Sequence, residues 1–284
     1  MASVNVAITG ASGMIGKRLR QRLAESGHAV HPIPRDAAAP ACDALVHLAG
    51  EPITQRWTEA AKKRIRDSRV EGTHRLVKAL AAQSQRPRVL VCASAVGFYG
   101  SRGDEILTES SPPGSGFLPR VVMDWEESAR SAEALGIRVI SLRFGVVLGH
   151  GGALAKLLPP FRLGAGGRLG SGRQWMSWIH VDDAVSMILL AIENATGAAL
   201  TGSVNATAPN PVTNDEFTRS LAALLHRPAI FPVPVFALKL AFGEMSEVLL
   251  ASQRALPTAA QAAGFHFQYP ELGAALESIL AASQ

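Results

Sequence analysis

A glycine-rich turn near the amino terminus constrains this chain more than any other feature of its sequence. Residues 9–16 read Thr-Gly-Ala-Ser-Gly-Met-Ile-Gly, which places glycines at positions 10, 13 and 16. The β-forming run Val4–Thr9 precedes the turn, and apolar residues follow it at the spacing of one helix face: Ile15, Leu19 and Leu23. The order of strand, turn and helix predicts the first half of a βαβ unit.

Each glycine has an expected task if this turn binds a dinucleotide. Gly10 allows a sharp turn, Gly13 lets the backbone approach a pyrophosphate, and Gly16 lets the helix pack close to the sheet. Unpaired amide groups and the helix dipole then favour a phosphate at the helix amino terminus. An ordinary glycine turn is the alternative. The predicted site residues are Thr9, Gly10, Ser12, Gly13, Met14, Ile15 and Gly16.

The residues after the second predicted strand indicate which coenzyme is preferred. A site for NAD carries an acidic residue there to bind the ribose 2′-hydroxyl, whereas a site for NADP carries an arginine near the 2′-phosphate. Residues 33–36 read Ile-Pro-Arg-Asp. Arg35 favours NADP(H), whereas the acidic Asp36 favours NAD(H). The alternative for Arg35 is a solvated loop arginine.

Strand and helix patterns alternate through the first two hundred residues, which predicts an α/β, Rossmann-type, doubly wound parallel sheet. Predicted strands are Val4–Thr9, Ala29–Ile33, Ala44–Leu48, Val89–Ala93, Arg138–Phe144 and Val204–Ala206; predicted helices are Lys62–Leu80, Val122–Leu135, Asp183–Glu193 and Leu272–Leu280. Only about ten residues separate the second strand from the next, too few for a helix and another parallel strand. The usual third strand is therefore expected to be missing, with Pro32 on an edge strand.

The composition of the sequence changes after residue 150, where glycines cluster. From Pro209 onward the segments are short and rich in Pro and Ala. We therefore expect a Rossmann domain formed by residues 1–150 plus about 177–207. Residues 151–176 and 208–284 would form a small substrate-binding, carboxyl-terminal domain. The glycine-rich loop 164–172 and nearby tryptophans favour a shaped pocket for a small molecule.

Several motifs together resemble the extended short-chain dehydrogenase/reductases, in particular an atypical epimerase-like branch related to nucleoside-diphosphate-sugar epimerases. They are Ala44–Gly50, Ser94–Gly100, Leu142–Gly149 and Trp178–Asp183, with Glu51–Ile53, Arg56–Thr58, Ser68–Arg69, Trp125–Glu126, Gly170–Gly172 and Pro209–Asn214. The resemblance implies an NADP(H)-binding extended fold with a small carboxyl-terminal domain. It also implies that Arg35, Leu48, Ala49, Arg69 and Leu148 line the coenzyme. Gly50, Ala93 and Arg143 lie within or beside the same motifs and are assigned to that site with them.

The catalytic pair of this superfamily is absent from the sequence. Most members use Tyr-x-x-x-Lys, in which the tyrosine passes a proton while hydride moves to or from the nicotinamide. The two tyrosines, Tyr99 and Tyr269, are each followed four residues later by glycine. Ser94, Tyr99 and Glu51 are the candidate proton-transfer groups. Two functions stay open: an NADP(H)-dependent oxidoreductase or epimerase of unknown substrate, and a non-catalytic NADP(H)-binding sensor or regulatory protein.

Composition narrows the expected partners and compartment. The net charge of +5 is scattered, and the densest basic run, residues 62–66, fits a solvated helix face better than a nucleic-acid site. The two cysteines, Cys42 and Cys92, favour a reducing compartment. No secretory leader or membrane-length apolar run is visible. We expect a cytoplasmic protein with a small-molecule substrate, no metal, no nucleic acid and no membrane partner, as a monomer or homodimer.

Replacement of Arg35 by Ala should weaken NADPH binding far more than NADH binding. The guanidinium is expected to form charge-assisted hydrogen bonds with the 2′-phosphate, which NADH lacks. Isothermal titration calorimetry with both coenzymes measures the difference. An equal loss for the two would remove Arg35 from the site.

Overall fold

A six-stranded parallel sheet forms the centre of the computed structural model, which describes residues 3–34, 37, 39–193 and 200–281. Its spatial order is β2-β1-β3-β4-β6-β10. These strands are β1 (Asn5–Thr9), β2 (Ala29–Ile33), β3 (Ala44–His47), β4 (Val89–Ala95), β6 (Arg138–Phe144) and β10 (Gly202–Ala206). The predicted doubly wound α/β class is confirmed.

Helices cover both faces of this sheet because its central strands are apolar on both sides. On one face, α1 (Met14–Glu25) and α5 (Val181–Glu193) pack through Leu19, Leu23 and Val185 onto Ile8 and Val91. On the other face, α2 (Glu59–Ala81) and α3 (Phe117–Arg130) pack against the sheet. The buried side chains of this second face include Val77, Leu80, Trp125, Ala129, Leu45 and Leu90.

Among the described residues, no strand lies between β2 and β3, as predicted. Strand β2 pairs only with β1 and ends the sheet, and the described residues between Ile33 and Ala44 contain no strand or helix. Pro32 lies exposed in this edge strand, where the missing amide donor deprives no neighbouring strand of a hydrogen bond. Arg35, Asp36 and Ala38 lie outside the described residues.

Helices α2 and α3 begin earlier than the apolar spacing predicts. Thr58 caps α2, because its hydroxyl accepts a hydrogen bond from the Ala61 amide, so the helix starts at Glu59 rather than Lys62. Helix α3 starts at Phe117 and not at Val122, directly after Gly116 with its φ of 104°. It ends at Arg130, and a 3-10 segment continues to Leu135. A side-chain cap marks the start of α2, and the positive φ of Gly116 marks the start of α3.

Short paired strands and a second core lie outside the central sheet. The pairs are β5 (Ile106–Leu107) with β12 (Arg254–Ala255), β7 (Val146–Leu148) with β9 (Trp178–His180), and β8 (Trp175–Met176) with β11 (Val212–Thr213). The helices are α4 (Gly152–Arg162), α6 (Asn214–Leu224), α7 (Val235–Phe242), α8 (Ser246–Leu250), α9 (Thr258–Ala262) and α10 (Leu272–Ala281). Trp178, Phe217 and Leu276 lie in the second core. The predicted division of the chain into two domains stays a prediction.

Membrane crossing requires a long apolar helix. Across the described residues, no helix combines the length and hydropathy needed for it.

Candidate functional site

The β1–α1 turn is pressed against the segment that follows β3. Gly10 has a φ of 69°, and a Cβ added there would lie 2.7 Å from the carbonyl carbon of Leu48. Gly16 also has no room for a side chain: a Cβ would overlap the Gly10 carbonyl oxygen and lie 2.8 Å from Ala11 Cα. The nearest atoms belong to Gly10 and Ala11, directly after the end of β1, so Gly16 brings α1 close to the turn that leaves the sheet.

The amino terminus of α1 is open toward solvent. Gly13 is the N-cap, no described side chain caps the helix, and its first turn carries no acidic residue. Ser12 and Gly13 are exposed, and a Cβ at Gly13 would meet only the Gly10 carbonyl oxygen, at 3.3 Å. The first amide groups of a helix have no acceptor within the helix. The turn therefore fits a phosphate-bearing ligand.

Arg69 lies over Gly50 in the segment Leu48–Gly50. A Cβ at Gly50 would be 3.3 Å from Arg69 Cζ. Arg69 Nη1 donates to the carbonyls of Glu51 (2.9 Å) and Ile65 (3.2 Å), and the guanidinium is 5.2 Å from the centre of the Trp125 ring. Burial lowers the pKa of Arg69 to about 10, and the Glu51 carboxylate opposes the change. Arg69 therefore holds this segment in place and stays charged at neutral pH.

The opposite side of the turn contacts the loop before α4. A Cβ at Gly149 would lie 3.0 Å from Met14 Sδ, and one at Gly151 would lie 3.4 Å from the same atom. Met14 therefore covers this loop and separates it from the turn. Leu148 is fully buried in the second core, where its side chain packs against protein.

A buried hydrogen-bonded chain fixes the ends of β1 and β3 beneath the turn. Thr9 Oγ1 lies 2.6 Å from His47 Nδ1, and His47 Nε2 lies 3.1 Å from Thr73 Oγ1 on α2. The Ala49 amide donates to Thr9 Oγ1 at 3.4 Å. Burial lowers the pKa of His47 to about 4, so the imidazole is neutral at pH 7. A neutral ring with one donor and one acceptor suits both threonine hydroxyls.

A second polar cluster crosses the sheet two residues nearer to the carboxyl ends of the strands. Ser94 on β4, Arg143 on β6 and Asn205 on β10 are direct neighbours in the parallel register. Glu126 on α3 covers them, and this side chain is only 4% exposed. Its carboxylate accepts hydrogen bonds from Ser94 Oγ (2.6 Å), Arg143 Nε and Nη2 (both 2.8 Å) and Ser203 Oγ (2.7 Å).

Tyr99 and Arg143 belong to this cluster rather than to an exposed site. Arg143 Nη1 donates to the Tyr99 hydroxyl at 3.0 Å, and that hydroxyl lies 2.7 Å from Asn205 Oδ1. Arg143 also lies 3.5 Å from the centre of the Phe98 ring. The Arg143 side chain is buried and its described contacts are with other groups of the protein, and its assignment to the coenzyme stays a prediction. Catalysis by Tyr99 or Ser94 stays a prediction, although both hydroxyls have buried partners.

Glu51 and Ala93 occupy more accessible positions. The Glu51 carboxylate is half-buried, accepts a hydrogen bond from Gln55 Nε2 at 3.2 Å and lies 3.5 Å from Arg64 Nε. Ala93 is half-buried near the end of β4. Arg35, assigned to coenzyme choice, lies outside the described residues. The turn and Leu48–Gly50 with Arg69 come together in space, whereas Arg143 and Tyr99 point into the protein.

Three residues that organise the site were not singled out from sequence: Glu126, His47 and Asn205. Glu126 and His47 occur within the motifs that carry the family resemblance, but nothing local marks them as buried partners. What identifies such partners is the register of the parallel strands, which aligns Ser94, Arg143 and Asn205 across the sheet. In the part of the chain that the structure describes, no group of three or more His, Cys, Asp or Glu side chains is placed to hold a metal ion.

Comparison with family models divides the chain into two matched regions. Residues 6–206 match the NAD dependent epimerase/dehydratase family, and residues 233–279 match a domain of unknown function. The "epimerase family protein YfhF" of Bacillus subtilis is 40% identical, and the match covers 98% of each chain. The first region contains the glycine turn, the six strands of the central sheet except the first residue of β1, and Glu126.

Solved structures share the same fold. The human epimerase family protein SDR39U1, crystallised with NADPH, is 35% identical with a TM-score of 0.91, over 98% of this chain and 99% of that one. A Corynebacterium glutamicum protein described as a nucleoside-diphosphate sugar epimerase is 37% identical with a TM-score of 0.80. That match covers 98% of this chain and 58% of the other.

The buried His47 should make stability depend on pH. Its pKa of about 4 in the folded protein is below that of an unfolded histidine, about 6.5, so acid protonates the unfolded chain first and stability falls from about pH 6.5 toward pH 4. Between pH 7 and pH 5, the unfolding free energy of the wild type should fall by about 2 kcal/mol more than that of His47→Gln.

Urea denaturation at the two pH values measures this difference. His31→Gln is the control, because His31 is exposed on edge strand β2, and it should keep the wild-type dependence on pH. A His47→Gln variant with the full wild-type dependence would show that His47 is not the group responsible.

Proposed function

Because this chain belongs to the NAD dependent epimerase/dehydratase family, we propose that it binds NADP(H) at the β1–α1 turn and acts as an oxidoreductase or epimerase on a small molecule. The observation that carries the proposal is the open, uncapped amino terminus of α1 above a turn in which Gly10 and Gly16 have no room for a side chain. Such a turn brings backbone amides close to a diphosphate.

Preference for the phosphorylated coenzyme is supported by two observations of different kinds. Arg35 follows β2, at the position from which an arginine reaches a 2′-phosphate. The human relative with the same fold was crystallised with NADPH. Arg69, charged and placed over Gly50, would contribute positive potential beside Leu48–Gly50, the segment proposed to line the coenzyme.

The residues around the turn would bind and orient the coenzyme, which when bound supplies or accepts a hydride. The backbone of Ser12–Met14 would hold the phosphates. The Thr9–His47–Thr73 chain would keep the strand ends rigid beneath them. Met14 would close one side of the site against Gly149.

Proton transfer requires a group other than the tyrosine of the superfamily. Helix α3, which carries that tyrosine in most members, instead has Leu118 beside Gly97: a Cβ at Gly97 would lie 2.8 Å from Leu118 Cδ2. Of the three candidates, Ser94 and Tyr99 are buried and bonded to Glu126 and Asn205. Glu51 is the half-exposed one, next to Leu48–Gly50. We therefore assign Glu51 as the proposed proton-transfer group.

The burial of the Ser94 and Tyr99 hydroxyls favours a second candidate function. If the hydroxyls of Ser94 and Tyr99 serve only to hold the buried cluster together, the protein would bind NADP(H) without converting a substrate. It would then act as a sensor or regulatory protein. The two candidates share the coenzyme site and differ in turnover.

Substitution of Gly13 by Val should remove coenzyme binding and leave the fold intact. Gly13 has a φ of −70°, which any residue adopts. A Cβ there lies 3.3 Å from the Gly10 carbonyl oxygen, which must move slightly, and the valine occupies the space above the turn. We expect NADPH affinity to fall roughly 100-fold, equivalent to about 2.7 kcal/mol. Nicotinamide fluorescence titration measures the affinity, and circular dichroism checks the fold.

Gly273→Val is the matched control. Gly273 lies on α10, and a Cβ added there would meet no atom within 4 Å. It should bind NADPH as the wild type does. Unchanged affinity in Gly13→Val would place the coenzyme elsewhere.

Simple ketones should be reduced poorly or not at all by this protein, although NADPH binds. The reason is the missing tyrosine: the alkoxide formed by hydride transfer would lack its usual proton source. Nicotinamide absorbance against a broad panel of carbonyl compounds and nucleotide sugars measures turnover. Rapid reduction of simple ketones would contradict the expectation.

If any compound in the panel is converted, Glu51→Gln should lower kcat by at least roughly 100-fold, in line with the loss of a general acid, and leave NADPH affinity unchanged. Glu71→Gln, an exposed change on α2, is the control. Turnover that survives Glu51→Gln would exclude Glu51 as the proton-transfer group. Tight NADPH binding with no conversion across the panel would favour the second candidate.

A further inference from the structure

One methionine of the described chain, Met14, lies at the turn proposed to bind the coenzyme. It is half-buried and is the first residue of α1. Met123 is the more exposed, at 42%, and lies on α3 outside the turn. The sulfur of Met176 accepts a hydrogen bond from Asn214 Nδ2 at 3.4 Å, and two further methionines are buried. An oxidant that reaches Met14 would therefore act directly on the candidate site.

Three glycines leave the sulfur of Met14 facing backbone instead of side chains. A Cβ at Gly149 would lie 3.0 Å from Met14 Sδ, one at Gly151 3.4 Å, and one at Gly152 3.8 Å. The glycines have no such atom, so the space beside the sulfur is bounded by main-chain groups. An oxygen atom added to this sulfur would enter the space that side chains would otherwise fill.

Two helix amino termini meet at this sulfur. Met14 begins α1, while Gly151 is the N-cap of α4 and Gly152 its first residue. No described side chain caps either helix, and neither helix has an acidic residue in its first turn. The first amides of each helix lack an acceptor within the helix, and the helix dipole adds positive potential there. A polar oxygen on the sulfur would be stabilised by both helices.

We propose that Met14 is an oxidation site for hydrogen peroxide, and that its sulfoxide closes the β1–α1 turn to the coenzyme. A lone pair of the sulfur forms the S–O bond to one peroxide oxygen while the O–O bond breaks. The proton on that oxygen passes to the departing oxygen, which leaves as water. The sulfur loses two electrons and the peroxide gains them, so no further reactant is needed. Methionine sulfoxide is a known, enzymatically reversible product of this kind.

The sulfoxide oxygen and a coenzyme phosphate would compete for the same donors. The free amides at the start of α1 are the groups proposed to hold the phosphates. An acceptor covalently attached to Met14 would bind them without the entropy cost of association. The effect on coenzyme binding rests on the proposed function, whereas the oxidation does not. Such a device suits the second candidate, a protein whose NADP(H) occupancy carries a signal.

Peptide mass spectrometry of the full chain after hydrogen peroxide treatment tests the modification. We expect Met14 to be oxidised at least as fast as Met123, although it is less exposed, because nearby amides stabilise the charge on the departing oxygen. A thiol reductant is then added, since it reverses disulfides and sulfenic acids but not methionine sulfoxide. Oxidation of Met123 while Met14 stays intact would overturn the proposal.

Fluorescence titration with NADPH measures the consequence in the same samples. The affinity of the oxidised wild type should fall roughly tenfold, and methionine sulfoxide reductase should restore it. Met14→Leu, whatever its own affinity, should not change it on peroxide treatment, whereas Met123→Leu is the control and should respond as the wild type does. Met14→Gln, which supplies an oxygen acceptor without peroxide, should bind NADPH more weakly than Met14→Leu. Unchanged affinity after oxidation of Met14 would overturn the proposal.

Hydrogen exchange gives a readout that does not need the coenzyme. After oxidation, the first amides of α1 and α4 should exchange roughly fivefold more slowly, because they gain an acceptor. Met14→Leu should show no such change. Untreated protein that fails to bind NADPH would contradict the proposed function, and exchange would still decide the role of Met14. Slower exchange at these amides supports it, and unchanged exchange in the oxidised wild type overturns it.

Discussion

The buried ion pair between Glu126 and Arg143 holds together the edge of the sheet on which the candidate site depends. Glu126 comes from helix α3 and Arg143 from strand β6, and both are almost fully buried. Removal of one partner from such a pair typically destabilises a protein by about 3–5 kcal/mol, since the other charge is left in the interior. Through Ser94 and Ser203 the same carboxylate also contacts β4 and β10. One side chain therefore links three strands and a helix.

The two faces of the sheet differ, and the difference explains where the polar groups lie. The face beneath α1 and α5 is apolar across its centre, and Arg138 at the start of β6 donates to the Ala191 carbonyl on α5 at one end of it. The face beneath α2 and α3 becomes polar near its carboxyl edge, first at Thr9 and His47 and then at Ser94 and Arg143. Each of these polar groups has a partner, as buried groups require. The strand ends below the turn are therefore fixed by hydrogen bonds, and the turn above them stays open.

The side chains of α3 in this chain hold the sheet together. In most short-chain dehydrogenases the corresponding helix presents a tyrosine and a lysine to the substrate. In this chain α3 presents Leu118 to Gly97 and uses Glu126 to anchor the sheet. Tyr99 is enclosed by Arg143 and Asn205. Chemistry at this site would therefore rely on the accessible loop around Glu51, the part of the proposed site least restrained by the buried cluster.

The sequence by itself determined the elements that depend on local physics. The glycine spacing, the run of apolar strands and the short connection after Ile33 predicted the turn, the doubly wound sheet and the missing strand, because these follow from backbone sterics, periodicity and chain length. Only the tertiary structure decided what Gly16 contacts, and that Arg143 and Tyr99 face inward. Both outcomes depend on strand register and on which helix covers which face. Residues as distant as Ser94, Glu126, Arg143 and Asn205 become partners only once the parallel strands have aligned, and no local pattern encodes that alignment.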